Sequence, residues 1–187
     1  MISSNDWSSM CLVVQTFLAR KSSPRHDFAM GKILAEKNLE AFAEEMRRRG
    51  VRLVLTNGCF DLLHVGHVRY LQCARDLGDA LLVALNSDAS TRALKGPERP
   101  VNHQEDRAEI LAALRCVDYV ALFDSLRVTQ IIREVRPALY VKGGDYTLKT
   151  LDPEEAAALY EVGTEVRLLP QVPGKSTTDL IGRLKRI

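Results

Sequence analysis

Short apolar runs alternate with amphipathic stretches along most of the chain. Val51 to Leu55, Ala80 to Leu85, Val117 to Phe123, Ala138 to Val141 and Val166 to Leu169 are almost continuously apolar, as buried parallel strands are. Between them the spacing turns helical. Leu39, Phe42, Ala43 and Met46 recur at helical intervals from Asn38 to Arg49, and Arg47 to Arg49 followed by Gly50 make a standard helix end. Further helices are predicted over Val68 to Leu77, Asn102 to Arg115, Leu126 to Val135, Asp152 to Glu161 and Ser176 to Lys185. Asn102 with Glu105 reads as a capping pair, with Ile110, Leu111 and Leu114 on one side of the helix it opens. Asp152-Pro153-Glu154-Glu155 reads as an N-cap, an N1 proline and an acidic first turn. Lys95-Gly96-Pro97-Glu98-Arg99-Pro100 is too rich in Gly and Pro for regular structure and reads as a loop.

Strands alternating with helices predict the α/β class: a doubly wound, five-stranded parallel sheet with helices on both faces. The expected unit is a single domain over residues 30–187. Residues 1–29, serine-rich with one apolar piece from Met10 to Leu18, read as a poorly ordered extension. Ligands of such sheets sit at the carboxyl ends of the strands, near the switch in strand order. The loops at Thr56, Asn86 and Lys142 and the turn at Ser176 all follow strands, so they are expected to share one rim.

Composition narrows the class only a little. With 187 residues, 46% hydrophobic and 27% charged, the chain has room for one full core, and its net charge of +2 is too small to recruit nucleic acid or a membrane. Cys11, Cys59, Cys73 and Cys116 lie far apart without metal-ligand spacing. They read as reduced thiols of a cytoplasmic protein, Cys73 and Cys116 on buried helix faces. No apolar run has the length of a membrane span, and the first residues lack the order of a secretion signal.

One stretch carries chemistry: Thr56-Asn57-Gly58-Cys59-Phe60-Asp61-Leu62-Leu63-His64-Val65-Gly66-His67. It lies between a predicted strand and a predicted helix. A helix start leaves backbone N–H groups unpaired at the positive end of the macrodipole, a natural anion site. Gly58 lets the backbone approach a ligand closely. His64 and His67, three apart, would project from one face of that turn. From the residues alone this is a phosphate-binding strand-loop-helix with imidazole donors.

The string Gly58-x-Phe60-Asp61-x-x-His64-x-Gly66-His67 closely resembles the signature of the nucleotidyltransferases related to cytidylyltransferases. Four further pieces fit one group within that superfamily: Asn86-Ser87-Asp88, Leu94-Lys95-Gly96 with Arg99-Pro100-Val101, Val141-Lys142-Gly143-Gly144-Asp145-Tyr146, and Gly174-Lys175-Ser176-Thr177-Thr178. Together they resemble the heptose-1-phosphate adenylyltransferases of ADP-heptose synthesis, a domain also found fused to a sugar kinase. The resemblance covers about Lys32 to Ile187, and with no kinase segment in these residues it reads as the stand-alone form.

The resemblance implies transfer of AMP from ATP, with Mg²⁺, to D-glycero-β-D-manno-heptose 1-phosphate, with release of pyrophosphate. It implies His64, His67 and Lys142 as catalytic groups. Thr56, Asn57, Gly58, Cys59, Phe60, Gly66, Lys95, Arg99, Arg107, Ser176, Thr177 and Thr178 would bind the nucleotide. Asp61, Asn86, Asp88, Gly143 and Asp145 would bind the sugar phosphate or fix the loops around it. No residue is assigned as a metal ligand, and a homodimer is compatible with the resemblance. Taken alone, Arg107 reads almost as well as a solvated helix charge, and Ser176 with Asp179 as ordinary capping. Two other readings stay open. One is a cytidylyltransferase using CTP and glycerol 3-phosphate or another phosphoalcohol; against it, Gln171-Val172-Pro173-Gly174-Lys175 stands where that family usually has an arginine-led signature. The other is a non-catalytic nucleotide-binding module, against which the retained histidines, Lys142 and Ser-Thr-Thr turn argue.

Overall fold

The computed structural model describes residues 30–143, 150–170 and 177–184. Its strands are Lys32–Leu34 (β1), Leu53–Gly58 (β2), Ala80–Asn86 (β3), Tyr119–Phe123 (β4), Leu139–Gly143 (β5) and Glu165–Leu169 (β6). They form one sheet in the order β1-β4-β3-β2-β5-β6, and every neighbouring pair is parallel. The helices are Leu39–Arg48 (α1), Val65–Arg75 (α2), Asp88–Lys95 (α3), Gln104–Ala112 (α4), Thr129–Val135 (α5), Pro153–Val162 (α6) and Thr177–Leu184 (α7). The expected extension over residues 1–29 lies outside the described residues, as do Gly144, Asp145 and Ser176 and the side chain of Thr178.

Alternation along the strands builds a core on each face of the sheet. Leu53 and Leu55 of β2 join Leu82, Ala84 and Tyr140 in packing against Leu39, Ala43 and Met46 of α1, Ile131, Ile132 and Val135 of α5, and Ala158 and Leu159 of α6. Val54 points the other way, with Leu81, Val83, Leu85, Leu139 and Val141, against Leu71 and Ala74 of α2 and Ala108, Leu111 and Ala112 of α4. This is the predicted doubly wound α/β sandwich. The chain runs from β2 outward through β3 to β4, then crosses back to place β5 on the other side of β2. The switch in strand order therefore lies between the carboxyl ends of β2 and β5.

The sheet has six strands, not five. The extra one, β1, is three residues long and pairs only with β4, and Ile33 is half exposed, so no apolar run marks it. The predicted cap at Asn102 is also corrected. Helix α4 starts after His103, and Asn102 instead bonds Asp61: its backbone N–H donates to Oδ1 at 3.2 Å and its Nδ2 to the Asp61 carbonyl at 3.1 Å. On α4, Ile110 faces solvent, and the buried face is Arg107, Ala108, Leu111 and Ala112. Helix α3 went unpredicted because it packs through Ser90 and Thr91 rather than an apolar stripe; Ser87 caps it by accepting from the Ser90 N–H at 3.2 Å. Asp152 caps α6 as predicted, accepting from the Glu154 and Glu155 N–H groups at 3.0 and 3.4 Å. Cys59 and Cys116 are free thiols; Cys116 is buried as expected and burial pushes its thiol up, whereas Cys73 on α2 is only half-buried. Among the described residues no helix is long and apolar enough to cross a membrane.

Candidate active site

The two histidines open α2. His64 is its N-cap, and His64 Nδ1 accepts from the Gly66 N–H at 3.1 Å. His67, one turn on, completes a capping box, its Nδ1 facing the His64 N–H at 3.4 Å. An Nδ1 that accepts is unprotonated, so each neutral ring carries its proton on Nε2. The rings stack at 3.9 Å between centroids, and the edge of Phe60 meets His67 at 5.4 Å. Burial, helped by the neighbouring His64, pushes His67 down to about 4. Near pH 7 it is therefore a neutral N–H donor at the positive end of a helix.

Gly58 has a different neighbour from the one the sequence suggests. A Cβ there would lie 2.9 Å from Cε2 of Phe60, so the close approach it permits is that of the Phe60 ring. Phe60 itself holds φ at 42°, a left-handed conformation unusual for an aromatic residue. That turn brings the ring back over Gly58 and against His67.

Arg107 gathers the rim. It is 1% exposed, and its guanidinium donates to four acceptors. Nη1 donates to the Cys59 carbonyl at 2.5 Å and the Asn86 carbonyl at 2.9 Å, Nε to the Asn102 carbonyl at 3.0 Å, and Nη2 to Asp88 Oδ1 at 2.7 Å. It is a buried tie between the ends of β2 and β3 and the start of α4, not a solvated helix charge. Asp88 also faces His103 at 3.2 Å. Burial alone would raise the Asp88 carboxyl, but hydrogen bonds from Arg107 and His103 outweigh it and hold it below the usual range. Asn86 is 2% exposed and donates to Ser90 Oγ at 3.2 Å, so it too lies under the rim.

Asp61 docks the loop before α4. Its Oδ1 accepts from the Val101 and Asn102 N–H groups at 2.7 and 3.2 Å, and its Oδ2 pairs with Arg99 Nε at 2.6 Å. The pair is nearly dry, with Asp61 at 3% and Arg99 at 19% side-chain exposure. Arg99 thus sits beside the glycine turn. Lys95 is exposed at the carboxyl end of α3, so it belongs to a helix and not to the loop.

The third group stands at the switch point. Lys142, on β5, donates to Asn57 Oδ1 at 2.9 Å, Tyr140 Oη at 3.0 Å and Glu155 Oε2 at 3.1 Å. Tyr140 Oη also lies 2.7 Å from Asn57 Oδ1 and 3.2 Å from Glu155 Oε2. On the other face, Tyr70 of α2 shares a hydrogen bond with Thr56 Oγ1 at 2.6 Å and donates to the Val141 carbonyl at 3.0 Å. Its ring fills the space beside Gly143, where a Cβ would come within 2.5 Å of Cε2. Thr177 Oγ1, at the start of α7, donates to the Leu62 carbonyl at 3.3 Å. The carboxyl ends of β2, β3 and β5 and the start of α7 therefore meet on one rim. Tyr70, Tyr140 and Glu155 join it, although no motif in the sequence points to them. A tyrosine inside the apolar run of β5 was the one available signal; Glu155 looked like any acid in a first turn.

A family model described as cytidylyltransferase-like matches residues 55–183. The chain is 52% identical over 153 residues to the bifunctional protein HldE of Syntrophotalea carbinolica, covering 82% of this chain and 31% of that protein. Against the protein of the same name from Nitratiruptor the identity is 47% over 149 residues, covering 80% and 31%. The chain thus spans about a third of the length of these relatives. A crystal structure of the lipopolysaccharide core biosynthesis protein from Thermoplasma volcanium aligns with a TM-score of 0.55 at 27% identity, covering 66% of this chain and 98% of that one. With the family match running from within β2 into α7, the chain belongs to the cytidylyltransferase-like family.

Proposed function

We propose that this chain is a nucleotidyltransferase that moves AMP from ATP to D-glycero-β-D-manno-heptose 1-phosphate, giving ADP-heptose and pyrophosphate in the cytoplasm. The observation that carries the reading is the histidine pair at the start of α2, locked as Nε2–H donors beside the switch point where Lys142 stands. The identity to proteins named bifunctional HldE, and the likeness to a lipopolysaccharide core biosynthesis protein, support the sugar-nucleotide assignment.

The acceptor is a sugar phosphate, already anionic at neutral pH, so the reaction needs no general base. One of its oxygens attacks the α-phosphorus of ATP in line; the new P–O bond forms as the bond to the pyrophosphate oxygen breaks. Charge builds on the equatorial oxygens and the leaving group, and the protein's work is positioning and charge stabilisation. His64 and His67 donate through Nε2–H to the triphosphate. The helix starts of α2 and α7 face its phosphates, with Thr177 and Thr178 in the latter. Lys142 receives the phosphate of the sugar. Arg99 closes one side through its tie to Asp61, and Arg107, Asn86 and Asp88 hold the turns in register.

Mg²⁺ enters with ATP, held through phosphate oxygens and water. Among the described residues no group of three or more His, Cys, Asp or Glu side chains could cage it.

Pyrophosphate release with ATP, CTP, GTP and UTP in turn, at fixed heptose 1-phosphate, tests the reading. ATP is expected to be preferred; preference for CTP would replace the adenylyltransferase assignment with the cytidylyltransferase one.

A further inference from the structure

The proposed reaction calls for Lys142 and for no carboxylate beside it, yet Glu155 Oε2 lies 3.1 Å from the ammonium. Glu155 is 4% exposed, on the first turn of α6. A buried carboxylate is costly unless it is paired and hydrogen-bonded. The helix dipole does not explain the burial, since Glu154, one residue earlier, offers the same charge from an exposed position. What distinguishes Glu155 is the ring it closes. Among the described residues, Asn57 Oδ1, Tyr140 Oη and Glu155 Oε2 accept from the Lys142 ammonium at 2.9, 3.0 and 3.1 Å. Tyr140, fully buried, touches both other acceptors, so the three are held relative to one another.

We propose that Glu155 is a positioning residue that, with Tyr140 and Asn57, fixes the Lys142 ammonium at the switch point to meet the phosphate of the sugar substrate. The inference rests on the role given to Lys142 under the proposed function. A flexible four-carbon stem would otherwise have to be found and ordered by each incoming phosphate. Here the ammonium is in place beforehand, and the phosphate joins or displaces one acceptor.

Glu155→Gln keeps the shape and one acceptor oxygen and removes the charge. Two readouts are taken on the same sample. Acetylation of Lys142 by a water-soluble N-hydroxysuccinimide ester, followed by peptide mass spectrometry, reports how tightly the amine is held. KM for heptose 1-phosphate and for ATP reports its use. Loss of a charged hydrogen bond predicts labelling and sugar-phosphate KM each rising about ten-fold, with KM for ATP changing less than about two-fold. Unchanged labelling or unchanged sugar-phosphate KM overturns the proposal. So does a parallel rise in both KM values, or failure of the variant to fold, because either makes Glu155 a clamp of α6 on the sheet. Wild-type protein that does not turn over this substrate pair would sink the functional reading instead, and labelling would still decide the role of Glu155.

Discussion

His67 combines burial, a neighbouring imidazole and an occupied Nδ1, and the three together fix the form in which it meets a phosphate. Its value of about 4 makes it neutral across the physiological range, and kcat/KM reports the free enzyme. The kcat/KM profile should therefore show no inflection near 6.5 beyond those of the substrate phosphates; a further limb there that His67→Asn removes would contradict the neutral-donor role. The same value sets a stability window. As pH falls below 6.5 the unfolded chain binds this proton before the folded one does, so the His67 contribution to stability is lost progressively down to about 4 and changes no further below it. Chemical denaturation at a series of pH values reads that slope. Replacing the ring in His67→Ala removes one transition-state donor and should lower kcat by about 10²–10³. Unchanged kcat would end the mechanism.

Helix α4 shows how one element holds several loops. Arg107 reaches from it to the carbonyls of Cys59, Asn86 and Asn102 and to Asp88, a buried set that a shorter side chain leaves unpaired. Arg107→Ala is expected to destabilise the fold by about 3 kcal/mol or more, read by denaturant unfolding, since the carbonyls of Cys59, Asn86 and Asn102 lose a charged donor and a cavity replaces the buried side chain. A loss below about 1 kcal/mol, the scale of an exposed ion pair, would return Arg107 to the solvated role. Helix α2 makes the matching tie to β5 through Tyr70. In Gly143→Ala the new methyl would stand 2.5 Å from the Tyr70 ring, so the ring must move away from Thr56 and Val141. Overpacking of this kind costs about 1–3 kcal/mol, and thermal melting against wild type measures it.

At the scale of the whole molecule, the parts that periodicity governs were legible. The apolar runs at β2, β3, β4, β5 and β6 and the proline-started α6 follow from local pattern, and the switch rule then points to Asn57 and Lys142. Packing decided the rest. β1 carries too few residues for an apolar run, α3 hides its buried face in Ser90 and Thr91, and Asn102 was drawn from a cap to the carboxylate of Asp61. Arg107 looks like a surface charge until four acceptors surround it, and Glu155 is paired at the carboxyl end of β5 with a lysine thirteen residues away in the chain. The central claim is that this rim joins ATP to a sugar 1-phosphate. Phosphorus NMR of the protein with Mg²⁺, ATP and D-glycero-β-D-manno-heptose 1-phosphate tests it most directly. The account predicts equal growth of a sugar-linked diphosphate and of pyrophosphate, with the α anomer unused. No new diphosphate with ATP, or one only when CTP is supplied, would contradict it.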